Sequence, residues 1–123
     1  MHIYDLIGET TEYDKKEMLE EKKPKSWCKS VSAFANGIGG TLIFGIAKDD
    51  TVIGLERAEH DAEIISEQIK ARLDPIPNFK LSFHHTKEGK KLILLNILAI
   101  GSIVVLIIGL TMIFSVVELF LTL

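Results

Sequence analysis

The chain has 123 residues and a formal net charge of −3, enough for one modest domain and no more. All 14 Lys/Arg and 16 of the 17 Asp/Glu precede Leu92, leaving Glu118 as the only charge in the last 32 residues, so an ordinary domain-like sequence is joined to an apolar one. A single cysteine, Cys28, excludes an intrachain disulfide framework and fits a reducing compartment, and Asp5 within the first seven residues argues against a secretory leader.

Thr10 to Lys16 reads as a short strand or extended lead-in. Lys15 to Lys23 reads as a helical turn or a loop, with Pro24 as its stop. Between Lys15 and Lys29 six lysines face three glutamates. Such a patch suits phosphate, although a solvated surface has the same composition. Ser26 is the expected N-cap of the next helix. Trp27, Val31, Phe34 and Ala35 form one apolar face of that helix, and Lys29, Ser32 and Asn36 lie opposite. Cys28 beside Lys29 near the helix start is a site where a thiolate could be favoured, or simply a small packed residue. Gly37 is expected to end the helix in the left-handed conformation.

Gly40 to Ala47 reads as a strand covered on both faces, and Lys48-Asp49-Asp50 turns into a second strand, Thr51 to Leu55. Asp61 to Leu73 is expected to be a helix that buries Ala62, Ile65, Ile69 and Leu73. Asp74-Pro75 ends it and Pro77 keeps the link extended. Lys80 to Thr86 alternates as a strand, and Glu88-Gly89 turns into a last strand, Lys91 to Leu98. The fold class expected is α/β in the two-layer α+β sense, with two main helices packed on a small, mainly antiparallel sheet and followed by an apolar C-terminal segment.

Gly37, Gly39 and Gly40 superficially suggest a cofactor loop. Dinucleotide and Walker loops run strand, glycines, helix, so that the helix N-terminus meets the phosphate. Here the glycines follow a helix and precede a strand, and no G-K-[ST] follows, which excludes both motifs.

Five segments, taken in order, resemble the Schlafen AlbA-like family. They are Glu12-Tyr13-Asp14-Lys15, then Trp27 to Gly37 (W-C-K-S-V-S-A-F-A-N-G), then Gly39 to Ile46 (G-G-T-L-I-F-G-I), then Ile53-Gly54-Leu55, and finally Asp74-Pro75-Ile76-Pro77. The resemblance covers about residues 8 to 98. It implies a DNA- or RNA-binding module of a bacterial transcriptional regulator, with a surface made by the helix face and the glycine turn. The residues so implied are Lys25, Lys29, Ser32, Asn36, Gly37, Gly39, Gly40 and Thr41. Glycines admit close backbone approach, successive N–H groups can form an anion nest, and lysines add contacts indifferent to base sequence. Alternatively, Asn36 and the glycines only build a tight helix-to-strand connection.

Longer relatives carry an ATP-binding region, so ATP is expected for them and no cofactor for this chain. Some Schlafen relatives are RNA nucleases that hold divalent metal on clustered carboxylates. Glu9, Glu12 and Asp49 are the nearest candidates here, but Ile7 and Lys48 stand where the pattern has acids. A binding module is therefore expected ahead of a metal-dependent nuclease, with a non-functional fragment as the third reading. His84 and His85 are adjacent on a strand and point to opposite faces, so no metal site is expected from them.

Residues 1–98 are expected to form the domain and 99–123 an apolar tail. From Ile97 to Val117 there are 21 uncharged residues, long enough to cross a bilayer, and Lys87, Lys90 and Lys91 before them would hold the domain on the cytoplasmic side. The rival reading is a tail from a shifted frame, on a cytoplasmic protein. Nucleic acid is the expected partner, with a homo-oligomer also open and a membrane only if the tail is an anchor.

Overall fold

The structure, a computed structural model, describes residues 12–99. In chain order the elements are β1 (Tyr13–Lys16), α1 (Lys25–Asn36), β2 (Gly40–Phe44), α2 (Ala58–Arg72), β3 (Phe79–His85) and β4 (Lys91–Ile97). The strands form one sheet in the order β1-β2-β4-β3. β1 runs parallel to β2, with α1 as the crossover a parallel pair requires, and the other two pairings are antiparallel. The expected two-layer arrangement is therefore the observed one.

Both helices pack on one face of the sheet. Trp27, Val31, Phe34 and Ala35 of α1 and Ala58, Ile65 and Ile69 of α2 meet Leu42, Phe44, Ile93, Leu95 and Ile97. Trp27 is 1% exposed and stands edge-on to Phe44 with ring centroids 6.0 Å apart, which fixes α1 against β2. Two side chains of β1 complete the attachment. Asp14 accepts a hydrogen bond from the Ser30 hydroxyl at 2.8 Å, and Lys16 Nζ donates to the Ser26 carbonyl at 3.1 Å.

Several local expectations are corrected. α1 starts at Lys25, so Ser26 lies inside the first turn and not at the cap. Pro24, with φ −60°, takes the cap position, and its carbonyl accepts from the Trp27 and Cys28 N–H groups. A proline already holds the φ that a helix start needs, so Pro24 begins this helix and does not merely end what precedes it. Gly37 has φ −106°, and the left-handed glycine of the turn is Gly39, at φ +87°. The strand after the turn stops at Phe44, because Gly45 at φ +104° bends the chain out of the ladder. In place of a second strand over Thr51 to Leu55 there is one antiparallel bridge, Ile46 to Val52. The Gly45 carbonyl accepts from both Ile53 and Gly54 N–H groups, and Leu55 N–H donates to the Lys91 carbonyl, which replaces a regular ladder.

The glycine turn is set by packing. A Cβ at Gly39 would lie 2.9 Å from the Ile97 carbonyl oxygen and 3.0 Å from the Ala99 nitrogen, and one at Gly40 would lie 2.6 Å from the buried Phe34 ring. Gly39→Ala is therefore expected to cost about 2 kcal/mol or more, from the left-handed backbone together with the clash. Urea unfolding of the two proteins measures it.

Candidate nucleic-acid interface

The first turn of α1, the last turn of α2 and the loop between β1 and α1 come together at one place. The result is a cleft of about 470 Å³ lined by Lys22, Lys23, Lys25, Lys29 and Arg72, with Pro24 and Ser26 at its floor. No carboxylate lines it. Arg72 Nε donates to Gln68 Oε1 one helical turn back at 2.5 Å, which orients the guanidinium. By contrast, the groove near Lys15, Lys16 and Lys48 also holds Glu17, Glu20 and Asp49 and is close to neutral. Lys15 there is committed to Asp50, 2.5 Å away; that hydrogen bond, rather than burial, decides its pKa and raises it.

Cys28 is buried behind the cleft. Burial pushes its thiol up, against a smaller opposing pull from Arg72, so the favoured thiolate is not what this site provides. The hydroxyl of Ser26 and the indole N–H of Trp27 are buried with no hydrogen-bond partner among the described residues.

The loop carrying Lys22 and Lys23 is tied to α2 by Glu21, whose carboxylate lies 3.2 Å from His60 Nε2. Both groups are well exposed, so the tie is a weak one. Next to it, burial raises the Asp61 carboxyl, and the neighbouring charge of Glu21 raises it further. A carboxyl raised on folding favours the folded state at pH below its ordinary value. That contribution is lost as pH rises through the raised value. Asp61→Asn is thus expected to raise Tm at pH 7 and leave it unchanged near pH 3, as followed by thermal melts.

The residues implied by the resemblance do not all meet at this cleft. Lys25 and Lys29 line it. Asn36 is exposed at the other end of α1, about 16 Å along the axis. Its amide lies 3.5 Å from the Ser32 hydroxyl, and both border a small hollow against Asp74, Pro75 and Pro77. The N–H groups of Gly37 and Gly39 both donate to the Phe34 carbonyl, and the Thr41 N–H donates to the Glu12 carbonyl. These three amides are therefore spent on closing the turn and joining the strands. Thr41 is 2% exposed and donates to Asn96 Oδ1 at 2.6 Å, on the sheet face away from α1. Arg72 and the pair Lys22 and Lys23 were absent from the implied set. Lys22 and Lys23 sit in the lysine-rich run, but nothing in sequence connects Arg72 to it.

Glu9 lies outside the described residues. Glu12 precedes the first residue of β1, while Asp49 follows the far end of β2; because the two strands are parallel, the length of the ladder, about 13 Å, separates them. Asp49 accepts the Thr51 N–H at 3.0 Å, and hydrogen bonds from Thr51 lower its carboxyl. The structure does not bring these two acids together, and no group of three metal-ligating side chains occurs among the described residues. His84 pairs across from Leu92 and His85 from Lys91, on opposite faces of β3. No helix among the described residues is long and apolar enough to cross a membrane, and the expected span over 97–117 lies almost wholly outside them.

A two-helix layer on a mixed sheet, with an uncompensated basic cleft where the helices meet, is the class of domain these observations define. The sequence matches the family described as Schlafen, AlbA_2 over residues 9–108, and the chain belongs to that family. It is also similar to the N-terminal domain of a RecG-related protein from Nitrosomonas europaea, named for an ATP-dependent DNA helicase. The TM-score is 0.56 at 20% identity, over 79% of this chain and 69% of that one. At that identity the likeness is one of fold. No curated protein matches the chain significantly.

Proposed function

We propose that the chain is a nucleic-acid-binding domain, the DNA- or RNA-contacting module of a regulator, that grips the phosphodiester backbone in the cleft at the start of α1. The observation that carries this reading is the convergence of Lys22, Lys23, Lys25, Lys29 and Arg72 with no carboxylate among them, on a chain whose net charge is −3. Five cations held together repel one another, and a polyanion relieves that repulsion while releasing its own counterions. Family membership supports the same reading. From the cleft, a strand laid along the exposed side of α1 reaches Asn36 after about 16 Å, the rise of about five nucleotides. Asn36 is then the side chain placed to touch a base or sugar, and the lysines and Arg72 supply positioning without sequence information.

Fluorescence anisotropy with labelled DNA and RNA of the same sequence, at 50 and 200 mM salt, tests the reading. Binding should weaken steeply with salt, with a log–log slope of about −4.5 on duplex DNA if all five cations engage phosphate. A salt-independent affinity, or none at 50 mM salt, would reject the proposal.

A further inference from the structure

Of the three elements that build the basic cleft, only α1 leads away from it without meeting a carboxylate. Its exposed line, Lys25, Lys29, Ala33 and Asn36, is free of acids, and so is the rest of the helix. The other two elements turn acidic as they leave the cleft. Glu20 and Glu21 stand immediately before Lys22 on the loop, and Glu63 and Glu67 are exposed on α2 in the turns before Arg72. Glu21 is also close enough to Asp61 of α2 to raise its carboxyl, so negative charge gathers where the loop meets α2. A polyanion that follows α1 toward Asn36 meets no repulsion, whereas one continuing along the loop or α2 meets carboxylates.

The cleft also offers more than one diester phosphate needs. α1 is 12 residues long, starts there, and has no acidic residue in its first turn, so its own side chains leave the positive end of its dipole unneutralised. Ser26 lines the cleft, and its carbonyl is held by Lys16 Nζ at 3.1 Å. Its hydroxyl is buried with no hydrogen-bond partner among the described residues. Such a hydroxyl is costly to leave unmet, and a bound anion relieves the cost by accepting from it.

We propose that the cleft binds the terminal phosphate of a nucleic-acid strand, a phosphomonoester at one end, with the strand running from there along α1 toward Asn36. The inference rests on the nucleic-acid reading above and adds which phosphate enters the cleft. A backbone diester carries a single negative charge. A terminal phosphate carries about −1.5 to −2 at pH 7 and presents three acceptor oxygens. The clustered cations and the helix N-terminus gain more from the second, and the Ser26 hydroxyl and the Arg72 guanidinium can each take a separate oxygen. A 5′- and a 3′-phosphate in the cleft set opposite strand polarities along α1, so this asymmetric surface matches one of them better than the other.

The test is competition against a labelled strand of about ten nucleotides at about 50 mM salt, with the full chain. Three unlabelled strands of one sequence compete: 5′-phosphorylated, 3′-phosphorylated, and hydroxyl at both ends. The two phosphorylated strands carry the same charge, so general attraction treats them alike. One of them should compete about tenfold better than the hydroxyl-ended strand, and the other no more than about twofold better. Ser26→Ala, which removes only a hydroxyl, should keep the parent Tm and cut the tenfold preference to about threefold or less. Equal gains from the two ends, no gain from either, or an undiminished preference in Ser26→Ala overturns the proposal and leaves backbone binding intact. No binding by any of the three strands overturns the nucleic-acid reading and this inference with it.

Discussion

Arg72→Gln is expected to weaken nucleic-acid binding about tenfold at 50 mM salt and to reduce the salt slope by about one, while leaving the circular dichroism spectrum and Tm unchanged. A tenfold loss corresponds to about 1.4 kcal/mol, the scale of one charge-assisted contact. Arg72 is exposed and its side-chain hydrogen bond to Gln68 lies on its own helix, so among the described residues little of the fold rests on it. Lys25→Gln and Lys29→Gln should behave alike, and the triple variant should lose about a hundredfold or more, short of strict additivity because the three share one cleft. Lys70→Gln is the control. It removes the same charge two residues away, but Lys70 does not line the cleft, and a change below about twofold is expected there. If Arg72→Gln binds like the parent while the lysine variants do not, the contact surface is the lysine-rich run and not the cleft.

Trp27→Ala is expected to cost about 3–5 kcal/mol, a large share of the 5–15 kcal/mol that stabilises a domain of this kind. The indole is 1% exposed, sits edge-on to Phe44, and belongs to the turn of α1 that carries Lys25 and Lys29. Its loss leaves a cavity between α1 and β2 that the rest of the sheet cannot close. Binding should fall with stability, because the cleft exists only while the two helices are held together. Trp27→Phe should behave differently. It gives up some apolar volume but also removes an indole N–H that is buried without a partner among the described residues. Leaving such a donor unmet costs about 1–3 kcal/mol, so the two effects partly offset each other and a net loss near 1 kcal/mol is expected. Urea denaturation of the three proteins separates the cases. Similar losses for Phe and Ala would mean that the N–H is satisfied in solution.

The elements were legible from local patterns. The apolar spacing of Trp27, Val31, Phe34 and Ala35 placed α1, and alternation around Leu81 and Phe83 placed β3, to within about two residues. Their ends were less legible, because caps depend on single backbone torsions. Pro24 looks like a stop until its carbonyl is seen accepting the Trp27 and Cys28 N–H groups. Gly37 looks like the left-handed residue because it follows the helix directly. The chain needs that conformation at Gly39, where a side-chain Cβ would lie within 3 Å of the end of β4. The hairpin expected after Phe44 fails for a similar reason: Gly45 turns the backbone, and its carbonyl takes the hydrogen bonds a ladder would have used.

The sequence by itself determined the family pattern, the order of helix, glycine turn and strand that excludes a cofactor loop, and the lysine excess before α1. Each of these is a property of neighbouring residues, and local sterics and periodicity are sufficient to read them. Only the tertiary structure decided where the charge collects. It brings Arg72 from the end of α2 to the first turn of α1, spends the Gly37, Gly39 and Thr41 amides on the turn and the ladder, and turns the Thr41 side chain to the opposite face. It also sets Glu12 and Asp49 at opposite ends of a parallel pair. Those placements follow from which faces of the helices and strands must be buried together, a condition that involves residues far apart in the chain and leaves no local mark.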